Sequence, residues 1–94
     1  MMSQIPYDLK KLRKEEVDGE ILRLGMIAEL DAINLYEQMA AIAENPDIRK
    51  VLLDIGREEK THVAEFQTLL LREDGEQVLE MEKGRKEAEK LTAD

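Results

Sequence analysis

Cysteine is absent from this 94-residue chain. Disulfides, thiolate metal sites, iron–sulfur clusters and cysteine nucleophiles are therefore excluded. Tryptophan is absent too, and one phenylalanine and two tyrosines are the only aromatic residues. A chain this short buries proportionally little of its surface, so with so few large rings a single copy has a thin core. Positive charge is in the minority: 14 Lys and Arg stand against 22 Asp and Glu, a formal net charge of −8. That excess argues against nucleic acid as a partner and is compatible with attracting cations. No apolar run reaches membrane-span length, and the N-terminus MMSQIPYDLKKLRK lacks the apolar segment of a signal peptide. A cytoplasmic protein without membrane contact is expected.

What is abundant is helix-forming: Leu, Ile, Ala, Met, Glu and Lys dominate. Residues 1–14 read as irregular or weakly helical, with Pro6 and a basic run at Lys10, Lys11, Arg13 and Lys14 that is best taken as a solvated face. A helical pattern runs from about Glu15 to Glu44 and breaks at Asn45-Pro46-Asp47, where Asn45 is an N-cap and Pro46 the first residue of a second helix. The second pattern reaches about Glu73, and Asp74-Gly75 reads as a stop. A weaker third segment covers about 76–91, with Val78, Leu79, Ala88 and Leu91 but also Gly84. The expectation is one all-α domain over 1–94, an antiparallel two-helix hairpin with a short C-terminal helix.

Periodicity then marks unusual positions. In the second helix a seam at alternating steps of four and three reads Ile48, Leu52, Ile55, Glu59, His62, Phe66, Leu69. In the first it reads Leu22, Met26, Glu29, Ile33, Tyr36, Ala40, Ala43. Polar groups interrupt both apolar seams, and an unpaired buried carboxylate costs several kcal/mol. Glu29 lies sixteen residues before Asn45, and Glu59 and His62 lie fourteen and seventeen after it. At about 1.5 Å of rise per residue all three stand roughly 21–26 Å from the turn, level with one another in an antiparallel hairpin.

Two carboxylates and an imidazole suit ferrous iron, manganese or zinc. Helical bundles that hold two such ions take one glutamate from each of two helices and a Glu-x-x-His pair from each of the other two. Glu29 with Glu59 and His62 is half of that set, and no second histidine exists in the chain. A symmetric homodimer would supply four helices, four glutamates and two histidines, and two divalent ions would neutralise the carboxylates. A second apolar stripe on the first helix, Val17, Ile21, Leu24 and Ala28 with Leu35, Met39 and Ile42, together with Ile27 and Leu30, also calls for oligomerisation.

Glu-x-x-His is a weak signal alone: with so many glutamates, one falls three before a lone histidine about one time in six. The seam position and the matching height carry the argument. Glu58, four before His62, is a rival ligand, but it falls off the stripe and is expected at its solvent-facing or lateral edge. Tyr36, two turns beyond Glu29, reads first as a core residue. Asp31 and Glu65 are most simply solvated or ion-paired.

The stretches AELDAINLYEQM (28–39) and REEKTHVAEF (57–66) resemble the encapsulated ferritins, the ferritin-like proteins housed in encapsulin nanocompartments. The likeness covers roughly Glu20 to Leu71 well and is strongest to the ferritin-like domain fused to archaeal encapsulin shell proteins. It implies a four-helix bundle completed by dimerisation, a di-iron ferroxidase centre between two chains, and dimers assembled into a ring-shaped decamer. It places iron ligands on Glu29, Glu59 and His62 and a tyrosine near the centre on Tyr36. The family often carries further acidic residues beside the first ligand for iron uptake, and a tryptophan before the tyrosine. Those places hold Ala28, Asp31 and Leu35, leaving Asp31 alone to serve in uptake. Free members end in a short peptide that docks to the shell, whereas this chain ends KEAEKLTAD, which implies excision from a shell fusion or another means of carriage.

The resemblance therefore implies a ferroxidase storing iron inside an encapsulin shell, with Fe as the bound metal and Mn or Zn as substitutes. Two other classes compete with it. A rubrerythrin-like di-iron peroxidase shares the bundle but usually adds a cysteine-ligated iron. A purely structural helical oligomerisation module predicts that leucine can replace Glu29, Glu59 and His62.

Overall fold

The computed structural model describes residues 13–94, so the irregular N-terminal segment expected from sequence lies almost wholly outside the described residues. A single 3-10 turn, Lys14–Glu16, leads into α1 (Val17–Ile42), followed by α2 (Pro46–Glu73) and α3 (Gly75–Leu91). Among the described residues there is no strand, and no helix is long and apolar enough to cross a membrane. At the start, the Arg13 guanidinium donates to Glu16 Oε1 at 2.7 Å. That hydrogen bond, helped by the opposite charge, holds the Glu16 carboxyl below its ordinary pKa.

The α1–α2 turn is three residues long and is held from both sides. Asn45 Oδ1 accepts from the Asp47 amide at 2.8 Å, and Pro46 takes the first helical position, where its missing N–H costs nothing. From the first turn of α2, Arg49 reaches back to α1. Its Nε donates to the Ala40 carbonyl at 3.2 Å and its Nη2 to the Ala43 carbonyl at 2.5 Å. These are carbonyls at the end of α1 that the helix itself leaves without partners. Such a short, doubly anchored turn leaves α1 and α2 antiparallel.

The second break differs from the expected glycine stop. No described residue has positive φ, so Gly75 is not a left-handed terminator. The break is Asp74, extended at φ −127°, ψ 92°, whose carboxylate accepts from the Gln77 amide at 3.0 Å. Asp74 is thus the N-cap of α3, and Gly75 is simply that helix's first residue.

Only Ala40, Gly56 and Leu70 are buried among the described residues. Along α1 the expected seam stays sheltered, with Leu22, Met26, Glu29, Ile33, Tyr36 and Ala43 half-buried and Ala40 buried. On α2 the middle of the seam, Leu52 through Phe66, is half-buried, but its ends are open: Ile48 is 54% exposed and Leu69 46%. Leu70 replaces Leu69 as the buried residue because the chain folds over it. Leu70, Met26, Ile27, Gln77 and Met81 together line the angle where α3 leaves the hairpin. After Gln77 every residue of α3 is exposed. Ile27 and Leu30 on α1 and Val51 and Leu53 on α2 are exposed as well, so one hairpin leaves much of its apolar surface uncovered.

Candidate metal centre

Glu29 projects from the middle of α1, and Glu59 and His62 project from the middle of α2, one turn apart on the same face. The antiparallel packing brings one ligand atom from each to within 4.8 Å of the others. His62 Nδ1 lies 3.4 Å from Glu59 Oε2 and 3.5 Å from Glu29 Oε2. Only the Glu59 contact has hydrogen-bond geometry, and it is a long one. The second oxygen, Glu29 Oε2, is buried with no hydrogen-bond partner. The carboxylates are the sheltered members, their side chains 20% and 17% exposed, while the imidazole is 43% exposed.

This donor set fits a divalent cation. Two donors each about 2.1 Å from one ion stand roughly 3.0–3.4 Å apart at octahedral or tetrahedral angles. The separations from His62 Nδ1 to both carboxylates are close to that edge length. A cation would also supply the partner that Glu29 Oε2 lacks and offset the charge of two half-buried carboxylates. Two oxygens and one imidazole nitrogen suit iron, manganese or zinc. They complete no coordination sphere by themselves, which leaves room for ligands from outside the chain.

Each remaining residue named from sequence has a definite place. Glu58 is exposed, about 100° around α2 from Glu59, and does not join the cluster. Tyr36 is half-buried and packs across from Gly56, where an added Cβ would meet its Cβ at 3.6 Å. Asp31 is half-buried on α1 and engaged in an interaction of its own, outside the three converging atoms. Glu65 is exposed. Beside the cluster, Lys60 Nζ pairs with Glu37 Oε2 at 3.2 Å and ties α2 to α1.

Two contacts escape a reading of apolar periodicity. A Cβ built on Gly25 would lie 2.7 Å from Phe66 Cε1, a close approach one turn from the cluster. The signal was available, because a glycine inside a helix costs about 1 kcal/mol relative to alanine. The Arg49 cap had no such signal, since an arginine in a first helical turn looks like any solvated charge.

A family model described as rubrerythrin matches residues 20–93. The chain belongs to the rubrerythrin family. Within it, the kinship is with the encapsulated ferritins. The chain is 59% identical over 83 residues, 88% of its length, to a ferritin-like–encapsulin shell fusion protein of Pyrococcus furiosus. It is 43% identical over 56 residues, 60% of its length, to the encapsulin nanocompartment cargo protein EncC of Myxococcus xanthus. It covers only 24% of the first relative and 43% of the second. The crystal structure of the encapsulated ferritin domain from Pyrococcus furiosus superposes with a TM-score of 0.78 at 52% identity, covering 98% of this chain and 88% of that one. The rubrerythrin-family match includes α3 as well as the hairpin. The ferritin-like, all-helical fold expected from sequence is therefore the observed one.

Proposed function

We propose that this chain is one half of a ferroxidase. Two copies bring two sets of Glu29, Glu59 and His62 together about a two-fold axis, so that four helices surround a pair of iron ions. Fe(II) is the substrate. Each of two ions gives one electron to dioxygen and becomes Fe(III), and dioxygen, with two protons from water, leaves as hydrogen peroxide. Glu29 and Glu59 neutralise the added positive charge and can ligate through one oxygen or two as that charge grows. His62 Nδ1 would supply the one nitrogen donor beside the two carboxylates. Tyr36, packed across from Gly56, is the residue proposed to support the centre, and Asp31, two residues beyond Glu29, the one proposed to hand iron in.

The observation that supports this reading most strongly is Glu29 Oε2, buried without a hydrogen-bond partner beside Glu59 and His62. A seam that served only to oligomerise would be at least as stable with leucine at these positions. Manganese and zinc suit the same donors, but of the three ions it is Fe(II) that gives an electron to dioxygen in an Fe(III)-forming reaction. The relatives' association with encapsulin extends the proposal to a shell protein as partner and to the lumen of a nanocompartment in the cytoplasm as the place where Fe(III) accumulates. A ring-shaped decamer of five dimers is the proposed assembly.

Aerobic Fe(II) oxidation by the purified protein, alongside Glu59→Ala, tests the reading. The expected result is fast oxidation that saturates near one iron per chain and is lost in the variant. Oxidation no faster than buffer, in a protein shown to be oligomeric, would reduce the chain to a structural or non-iron module.

A further inference from the structure

We infer that Gly25 and Phe66 are a size-matched pair that sets how closely α1 and α2 approach at the metal centre, and so positions Glu29 against Glu59 and His62. The inference rests on the metal reading above. Gly25 precedes Glu29 by four residues on α1, and Phe66 follows His62 by four on α2. Each therefore stacks one turn from a ligand on the same helical face. A Cβ on Gly25 would fall 2.7 Å from Phe66 Cε1, 2.8 Å from Cζ and 2.9 Å from Cδ1. The ring of the only phenylalanine in the chain occupies the space a side chain at 25 would need.

Gly25 is singular in this respect. A Cβ at Gly19 or Gly56 would make ordinary contacts at 3.6 Å, and at Gly75 or Gly84 it would meet nothing within 4 Å. Carbon atoms pack at about 3.5–4.0 Å, so a Cβ 2.7 Å from the ring requires a shift of roughly 0.8 Å. The atoms it meets belong to a rigid ring that only the two side-chain torsions of Phe66 can move. If the ring keeps its place the helices part and Glu29 moves away from Glu59 and His62; if the ring turns aside, the contact that fixes the approach of the two helices is lost. Metal–ligand distances are held to about 0.2 Å. A shift several times larger separates Glu29 from its partners, whereas the helices themselves tolerate it.

Cobalt(II) binding, read from the intensity of its visible absorption under argon, tests the pair in the full-length protein. Gly25→Ala is expected to weaken binding about tenfold or more, the usual scale for supports behind metal ligands. Gly56→Ala, also a helical glycine one turn from the cluster, should bind as the unaltered protein does. Phe66→Leu should weaken binding by itself, through loss of the ring that closes on Gly25. Gly25→Ala with Phe66→Leu should recover most of the affinity and the spectrum, because the narrower side chain admits the added methyl. This double-mutant cycle separates positioning from simple destabilisation, which would add rather than cancel. It remains decisive if Gly25→Ala alone fails to fold. Unchanged binding by Gly25→Ala, or additive losses in the double variant, would overturn the inference. An unaltered protein that bound no Co(II) would instead defeat the metal reading itself.

Discussion

Glu29 Oε2 on α1 and His62 Nδ1 on α2 stand 3.5 Å apart, yet the glutamate oxygen is buried without a hydrogen bond. In a metal-free chain this arrangement destabilises the fold, by about 1–3 kcal/mol for an unsatisfied buried acceptor. A metal reverses the sign by supplying the missing partner. Glu29→Leu is therefore expected to raise the stability of the metal-free protein, or leave it unchanged, and to abolish any rise on adding metal. Thermal denaturation of both proteins with and without Co(II) measures the two effects. A metal-induced rise that survived in Glu29→Leu would remove Glu29 from the ligand set.

Glu58 and Glu59 are adjacent in sequence but about 100° apart around α2. Glu59 is half-buried against His62, and Glu58 is exposed. Glu58→Ala should leave Fe(II) oxidation within about twofold of the unaltered protein, in keeping with surface changes of within 0.5 kcal/mol. Glu59→Ala should lose it. Stopped-flow absorbance of Fe(III) formation compares the two, and equal losses would show that the seam assignment of Glu59 has the wrong register.

Much of this arrangement is legible in the sequence, for identifiable reasons. Asn45-Pro46 marks the turn because capping and proline geometry are local. The levelling of Glu29 with Glu59 and His62 follows from counting residues away from that turn, since helical rise is constant. The burial of Leu70 instead of Leu69 is not legible, because it depends on where α3 folds. The Asp74 cap hides behind a glycine that looks like a stop. The Gly25–Phe66 contact lies between two helices and two different residue types, and no single-helix period carries it.

Arg49 is expected to matter to the hairpin and not to the metal. Its guanidinium donates to the carbonyls of Ala40 and Ala43 at the end of α1. Arg49→Ala leaves those carbonyls to water and should cost about 1–2 kcal/mol, the net worth of one or two such bonds. Glu59 lies ten residues further along α2, about 15 Å away, so Co(II) affinity should be unchanged. Urea denaturation and Co(II) titration of the same variant check both halves of the expectation. A large loss of affinity would mean that the turn is coupled to the centre.

One chain brings only three candidate ligands together, and on α1 Ile27 and Leu30, 41% and 50% exposed, leave apolar surface open about 160° and 100° around the helix from Glu29. Apolar side chains this open, on a hairpin whose candidate site is incomplete, are where a second copy would pack. Replacing both by glutamate places two charges on that surface, where burial against another chain would cost several kcal/mol per ion. Light scattering should show the mass falling toward the 10.8 kDa of one chain. Fe(II) oxidation should fall with it, although Glu29, Glu59 and His62 are all intact. A monomer that still oxidised iron at the original rate would show that the three ligands of one chain suffice, and the shared centre would have to be abandoned. A variant that stayed fully oligomeric would instead place the contact elsewhere on the exposed apolar surface of the hairpin, with Val51 and Leu53 on α2 the next positions to charge.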